Sequence, residues 1–121
     1  MKVLIIEDDQ EVVKRIRAGL DRLVPGTFEE LIDANDPRAA MSALRMDPNV
    51  SLIVLDGCLT GEHPDGLGLL PDIRELYPAP RPILAISKSS EMRELMMERG
   101  CTHECDKKFA VGMMLKILNL K

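Results

Sequence analysis

Three stretches of the chain are apolar without interruption: Val3-Leu4-Ile5-Ile6, Leu52-Ile53-Val54-Leu55 and Ile83-Leu84-Ala85-Ile86. A strand with one face in water alternates apolar with polar side chains. A run without alternation therefore belongs to a strand covered on both faces, as in a parallel sheet sandwiched between helices. Segments of helical period fill the intervals. Val12/Val13, Ile16, Leu20 and Leu23 share one helical face, as do Met92, Leu95 and Met96, and later Val111, Met114, Leu115 and Leu118. Strand followed by helix, repeated, is the signature of βα units.

Two further elements complete the alternation early in the chain. Residues 28–33 are expected as a second strand. Residues 38–46 are expected as a helix opened by Asp36 at the N-cap and Pro37 at the first helical position. A last strand is expected over 102–106, after Gly100, which is well placed to close the preceding helix. Pro71 lacks the N–H that a helix interior requires, so the third helix should begin near Leu69 or Leu70. The expectation is an α/β fold of one domain over residues 1–121, a doubly wound five-stranded parallel sheet with right-handed crossovers. Ligands in such sheets bind beyond the carboxyl ends of the strands.

Composition removes several function classes. Of the 121 residues only Phe28, Tyr77 and Phe109 are aromatic, which leaves little for stacking on bases, and eight Met residues must help fill the core. The net charge of −4 comes from interspersed acidic and basic residues, with no basic stripe for a nucleic-acid backbone. Cys58, Cys101 and Cys105 are odd in number and irregularly spaced. Together with a start that does not read as a secretory segment, this points to reduced thiols in a cytoplasm. No apolar run approaches the ~20 residues that span a bilayer, so no membrane association is expected.

Glu7-Asp8-Asp9 follow the first apolar run, Asp56 the second long one, Ser87 the third, and Lys107-Lys108 stand near the last strand. Carboxylates converging within ~4 Å repel by ~4 kcal/mol per pair at an effective dielectric of 20, so such a cluster calls for a cation. Oxygen ligands in a small site that retains water suit Mg²⁺. A lysine and a hydroxyl beside them suit phosphoryl oxygens. An ionised carboxylate can itself be the phosphoryl acceptor, with no general base required, and Asp56, alone at the end of the central run, is the natural candidate. The arrangement would then work by positioning and charge neutralisation.

This set, in this order and over essentially the whole chain, resembles the receiver domains of two-component response regulators. The resemblance implies a flavodoxin-like (βα)5 fold with strand order 2-1-3-4-5. It implies Asp56 as phosphoacceptor, Lys107 and Ser87 as phosphoryl-binding residues, and Glu7, Asp8, Asp56 and the backbone carbonyl of Cys58 as the Mg²⁺ site. It also implies a signalling switch rather than an enzyme. A histidine kinase or phosphotransfer protein would supply the phosphoryl group, and an output protein or domain would be engaged through helix four, strand five and helix five. That face could also serve a homodimer. Phosphorylation would bias a pre-existing equilibrium by its differential interaction with two states.

Three features depart from the family pattern. Lys107 is followed by Lys108 where a proline in a cis peptide is usual. A non-proline cis bond costs ~2.5–4 kcal/mol, so a trans peptide or a strained loop is expected. Glu104 stands where an aromatic switch residue is usual, and the segment 57–68, with four glycines and Pro64, is about two residues longer than the family norm. Lys88 adds charge beside Ser87. The substitutions at Lys108 and Glu104 support an alternative reading, a degenerate receiver acting as a constitutive interaction module, while the intact Glu7, Asp8, Asp56 and Ser87 count against it. An aspartate-nucleophile phosphatase is the weakest reading, because the carboxylate it needs two residues after the nucleophile is here Cys58.

Blander roles stand beside these. Asp8 or Asp9 could cap the first helix, and Ser87, Ser89 or Ser90 the fourth. Cys101, His103 and Cys105 alternate, so a strand would point them the same way; their spacing is not a usual zinc pattern, and buried cysteines are the preferred reading. The Met residues near the fourth and fifth helices are mostly core.

Overall fold

The computed structural model describes residues 1–59 and 65–120. The apolar runs form β1 (Lys2–Ile6), β3 (Leu52–Asp56) and β4 (Ile83–Ile86), and the sheet is completed by β2 (Glu30–Ala34) and β5 (His103–Cys105). All pairings are parallel and the order is β2-β1-β3-β4-β5, the doubly wound arrangement expected. Because successive side chains of a strand face opposite ways, each run feeds two cores. Leu4, Ile6, Ile53, Leu55, Ile83 and Ala85 point to one face; Val3, Ile5, Leu52, Val54, Leu84 and Ile86 point to the other.

The helices cover those faces separately. The first core is closed by Ala40 and Leu44 of α2 (Pro37–Met46), Leu70 and Ile73 of α3 (Leu70–Leu76), and Met96 of α4 (Ser90–Glu98). The second is closed by Val12, Val13, Ile16 and Leu20 of α1 (Gln10–Leu23) and by Ala110 and Met114 of α5 (Ala110–Ile117). Every residue of β3 is buried, which explains its lack of alternation, and each such aliphatic side chain gains about 1.5–3 kcal/mol by leaving water.

Helix starts follow their caps. Asp9 accepts from the Glu11 N–H (3.0 Å), Asp36 from the Ala39 N–H (2.8 Å) with Pro37 next, and Ser89 from the Met92 N–H (3.2 Å). Gly100, at φ +121°, closes α4 in a conformation that favours glycine.

Two boundaries differ from expectation. The second strand occupies Glu30–Ala34 rather than 28–33: the register Lys2↔Glu30 to Ile6↔Ala34 sets its length, and Phe28 instead packs beneath the sheet against the second core. The fifth has three residues rather than five. Thr102 turns its hydroxyl onto the backbone of Ile83, and Asp106 leaves the ladder to cap the next turn. The third helix starts at Leu70, as Pro71 requires, after a helical turn at Asp65–Gly68. Residues 60–64, the middle of the long glycine-containing segment, lie outside the described residues. Among the described residues no helix is long and apolar enough to cross a membrane.

Candidate functional site

The carboxyl ends of β1, β3 and β4 and the turn after β5 open into one cleft of about 420 Å³, lined by Asp8, Asp9, Asp56, Cys58, Ser87 and Lys107 among others. Asp56 is the last residue of β3 and is 3 % exposed. Glu7 follows β1, is 1 % exposed, and is held by its N–H on the Ala34 carbonyl (3.0 Å). Lys107 reaches both: its Nζ donates to Glu7 Oε1 at 2.7 Å and to Asp56 Oδ2 at 3.2 Å. Glu7, Asp8, Asp56 and Lys107 are thus brought together as the sequence implied.

Electrostatics in this cluster is unbalanced. Glu7, Asp8 and Asp56 each offer a carboxylate oxygen, all within 4.8 Å of one another, and Glu7 Oε2 is buried without a hydrogen-bond partner. Burial, reinforced by Asp56 and opposed by Lys107, pushes the Glu7 carboxyl up to about 8. Asp8 is raised as well, by burial and then by Asp56. For Lys107 burial works against the charged form, but Glu7 and Asp56 outweigh it and its pKa rises. An orphaned buried oxygen within a set of three hard-oxygen donors fits a small divalent cation, and Mg²⁺ chemistry is compatible with these ligands.

The other expected residues sit at the rim. Ser87 follows β4, lines the cleft, and accepts from the Ser89 N–H through its Oγ (3.1 Å). Ser89, not Ser87, caps α4, and Asp9, not Asp8, caps α1, so Ser87 and Asp8 remain turned to the cleft. The Cys58 N–H donates to Asp56 Oδ1 at 3.3 Å.

Without a proline, Lys107-Lys108-Phe109 forms a 3₁₀ turn capped by Asp106, whose Oδ1 accepts from the Lys108 N–H (3.1 Å). The cis bond among the described residues is Ala79–Pro80, so the Lys107–Lys108 peptide is trans, the first of the two expected alternatives. Glu104 pairs with Arg93 of α4 (2.7 Å), and the same guanidinium donates to the Ser87 carbonyl (2.6 Å).

Gly66 is a site residue that the sequence did not single out. A Cβ there would overlap the Asp56 carbonyl oxygen, so the turn at Asp65–Gly68 can approach the end of β3 only with glycine. An Asp-Gly pair such as Asp65-Gly66 favours a turn, but nothing in the spacing of the glycines marks that contact. Asp65 accepts from the Leu59 N–H (2.7 Å), fixing the loop from its other side.

The alternating Cys101, His103 and Cys105 do not face one way. Cys101 lies before β5 in the first core, Cys105 in the second, and His103 Nδ1 sits 2.8 Å from Thr102 Oγ1. Burial pushes the two thiols up to about 12 and about 11, the behaviour of inert core cysteines.

No family model matches the sequence, and no curated protein does. Solved structures do match in fold. The chain superposes on the receiver domain of NtrX from Brucella abortus with a TM-score of 0.78 at 24 % identity, covering 97 % of this chain and 94 % of that one. A Francisella response-regulator receiver domain gives 0.72 at 22 %, covering 98 % and 93 %. A response regulator from Burkholderia pseudomallei, solved with a phosphorylated aspartic acid, a calcium ion and citrate, gives 0.77 at 20 %, covering 97 % of this chain and 65 % of that one. The fold is that of response-regulator receiver domains.

Proposed function

We propose that the chain is a phosphoacceptor receiver domain of a two-component or phosphorelay system, phosphorylated on Asp56 in a Mg²⁺-dependent step. The observation that carries this reading is the Lys107 ammonium bonded to Glu7 and Asp56 beneath a cleft that Asp8 and Ser87 also line, on a receiver fold. Glu7, Asp8, Asp56 and the Cys58 backbone carbonyl would hold Mg²⁺. When bound, the ion neutralises carboxylate charge and polarises the phosphoryl oxygens.

Asp56 supplies the attacking oxygen, and its carboxylate is aimed by the Cys58 N–H and Lys107. Lys107, a point charge at the bottom of the cleft, exchanges part of its contact with Asp56 for a phosphoryl oxygen, and the Ser87 hydroxyl donates to another. Phosphorylation then biases the face made by α4, β5 and α5 toward a different partner. The chemistry is limited to the domain's own phosphorylation and dephosphorylation, as befits a cytoplasmic signalling switch rather than an enzyme. Its partners are a sensor histidine kinase or phosphotransfer protein, an output protein or domain, and in some states a second copy. Neither nucleic acid nor membrane is engaged directly.

A second reading has a specific observation in its favour. Arg93 ties Glu104 on β5 and the Ser87 carbonyl together where the family usually carries an aromatic switch, which fits a degenerate receiver held in one state. Intact-mass and amide NMR measurements with Mg²⁺ and beryllofluoride or acetyl phosphate decide between the two. An adduct that requires Mg²⁺ and disappears in Asp56→Ala is expected. No adduct and no Mg²⁺ binding would favour the constitutive module.

A further inference from the structure

We propose that Arg15, Lys88 and Lys108 form a cationic approach to Asp56 that favours doubly charged phosphoryl donors over singly charged ones, an inference that rests on the phosphoacceptor reading above.

The cleft around Asp56 is lined by the carboxylates of Asp8, Asp9 and Asp56, with Glu7 behind them, and its one deep cation, Lys107, is already bonded to two of these groups. Until a cation occupies the carboxylate cluster, a phosphoryl dianion is repelled from such a mouth. The adjoining cleft, of about 340 Å³, shares Asp9, Lys88 and Lys107 with it and adds Arg15, Asp106 and Lys108. Four cations, Arg15, Lys88, Lys107 and Lys108, line it against the two carboxylates of Asp9 and Asp106, so positive charge is in excess there. The path continues along α1 into a third cleft that reaches Arg22 and has no carboxylate among its lining residues.

Among the described residues, Lys2, Lys14, Arg17 and Arg93 are each paired with a carboxylate, whereas Arg15, Lys88 and Lys108 enter no ion pair. In a chain of net charge −4, three cations without an ion pair thus line the cleft that adjoins the acidic cluster of Glu7, Asp8 and Asp56. A field of this kind raises the local concentration of anions and their encounter rate, and it fades with ionic strength.

For acetyl phosphate the step itself is simple. A carboxylate oxygen of Asp56 attacks phosphorus, the bond from phosphorus to the acyl oxygen breaks, and acetate leaves with the electron pair, with no proton transferred. For phosphoramidate, a zwitterion of single net negative charge, the phosphorus–nitrogen bond breaks and ammonia leaves. The three side chains act on the encounter, before either bond changes.

The test compares initial phosphorylation rates with the two donors, at low and high salt, in the unaltered protein and in the triple variant Arg15→Gln, Lys88→Gln, Lys108→Gln. With acetyl phosphate at low salt the variant should be slower by about tenfold, the gap closing at high salt. With phosphoramidate it should change much less, and the charge-conserving set Arg15→Lys, Lys88→Arg, Lys108→Arg should retain the original rate. Equal losses with both donors, or no loss with acetyl phosphate, would overturn the proposal. A beryllofluoride adduct in the variant verifies that the acceptor is intact. Failure of even the unaltered protein to form that adduct would instead sink the phosphoacceptor reading.

Discussion

Glu7 has one oxygen on Lys107 and another without a hydrogen-bond partner, and its carboxyl titrates near pH 8 because burial and Asp56 disfavour its charge. At neutral pH the cluster therefore retains a proton where a cation would otherwise neutralise it. Mg²⁺ binding should release that proton, so affinity measured by titration calorimetry should rise by about tenfold per pH unit up to about pH 8 and then level off. The sign for stability follows. A folded pKa raised above the ordinary 4.5 gives stabilisation that is full below 4.5 and lost as pH rises through about 8. The thermal midpoint of the metal-free protein should thus fall over that window, with Mg²⁺ restoring most at its alkaline end. Glu7, Asp8, Asp56 and Lys107 were legible because each stands at or just beyond the end of a strand. The unpartnered Oε2 and the turning of Ser87 Oγ to the Ser89 N–H were not, because both depend on side-chain rotamers that spacing does not encode.

The turn at Asp65–Gly68 is the element on which the position of Asp56 most directly depends. Gly66→Ala should destabilise the fold by about 1–3 kcal/mol, because the new Cβ meets backbone rather than a yielding side chain. Urea midpoints would measure the loss, and amide shifts at Asp56 and Gly57 would report the displacement; an unchanged midpoint would refute the close approach. Among the strands, β1, β3 and β4 could be read almost to the residue because burial on both faces leaves polar residues only at their ends, Lys2 in β1 and Asp56 in β3. The edge strands β2 and β5 could not. Only Ala34 of β2 and Cys105 of β5 are fully buried, so pairing register and the hydrogen bonds of Thr102 and Asp106 set their ends. Cys101 shows the same limit: its alternation with Cys105 read as one strand face, but the chain has not yet entered the strand at that point.

Across the whole molecule the sheet separates two cores, and β3 contributes to both, with Ile53 and Leu55 on one side and Val54 on the other. Ile53→Ala should cost about 2–5 kcal/mol by calorimetry or denaturant unfolding, since the site is enclosed on every side. This level of organisation was the most legible of the three, because parallel pairing and crossover hand follow from the βα alternation itself, and the resemblance to receiver domains implied the strand order. The hydrogen bond from Lys107 to Glu7 joins residues 100 positions apart. Loop closure over such a distance is a late, entropically unfavourable step. On the ribosome, the first strand and its acidic residues emerge long before the lysine that completes them. The bridge from Lys107 to Glu7 and Asp56 is therefore missing until synthesis has passed β5, and a chain interrupted earlier would carry both carboxylates with no ammonium between them.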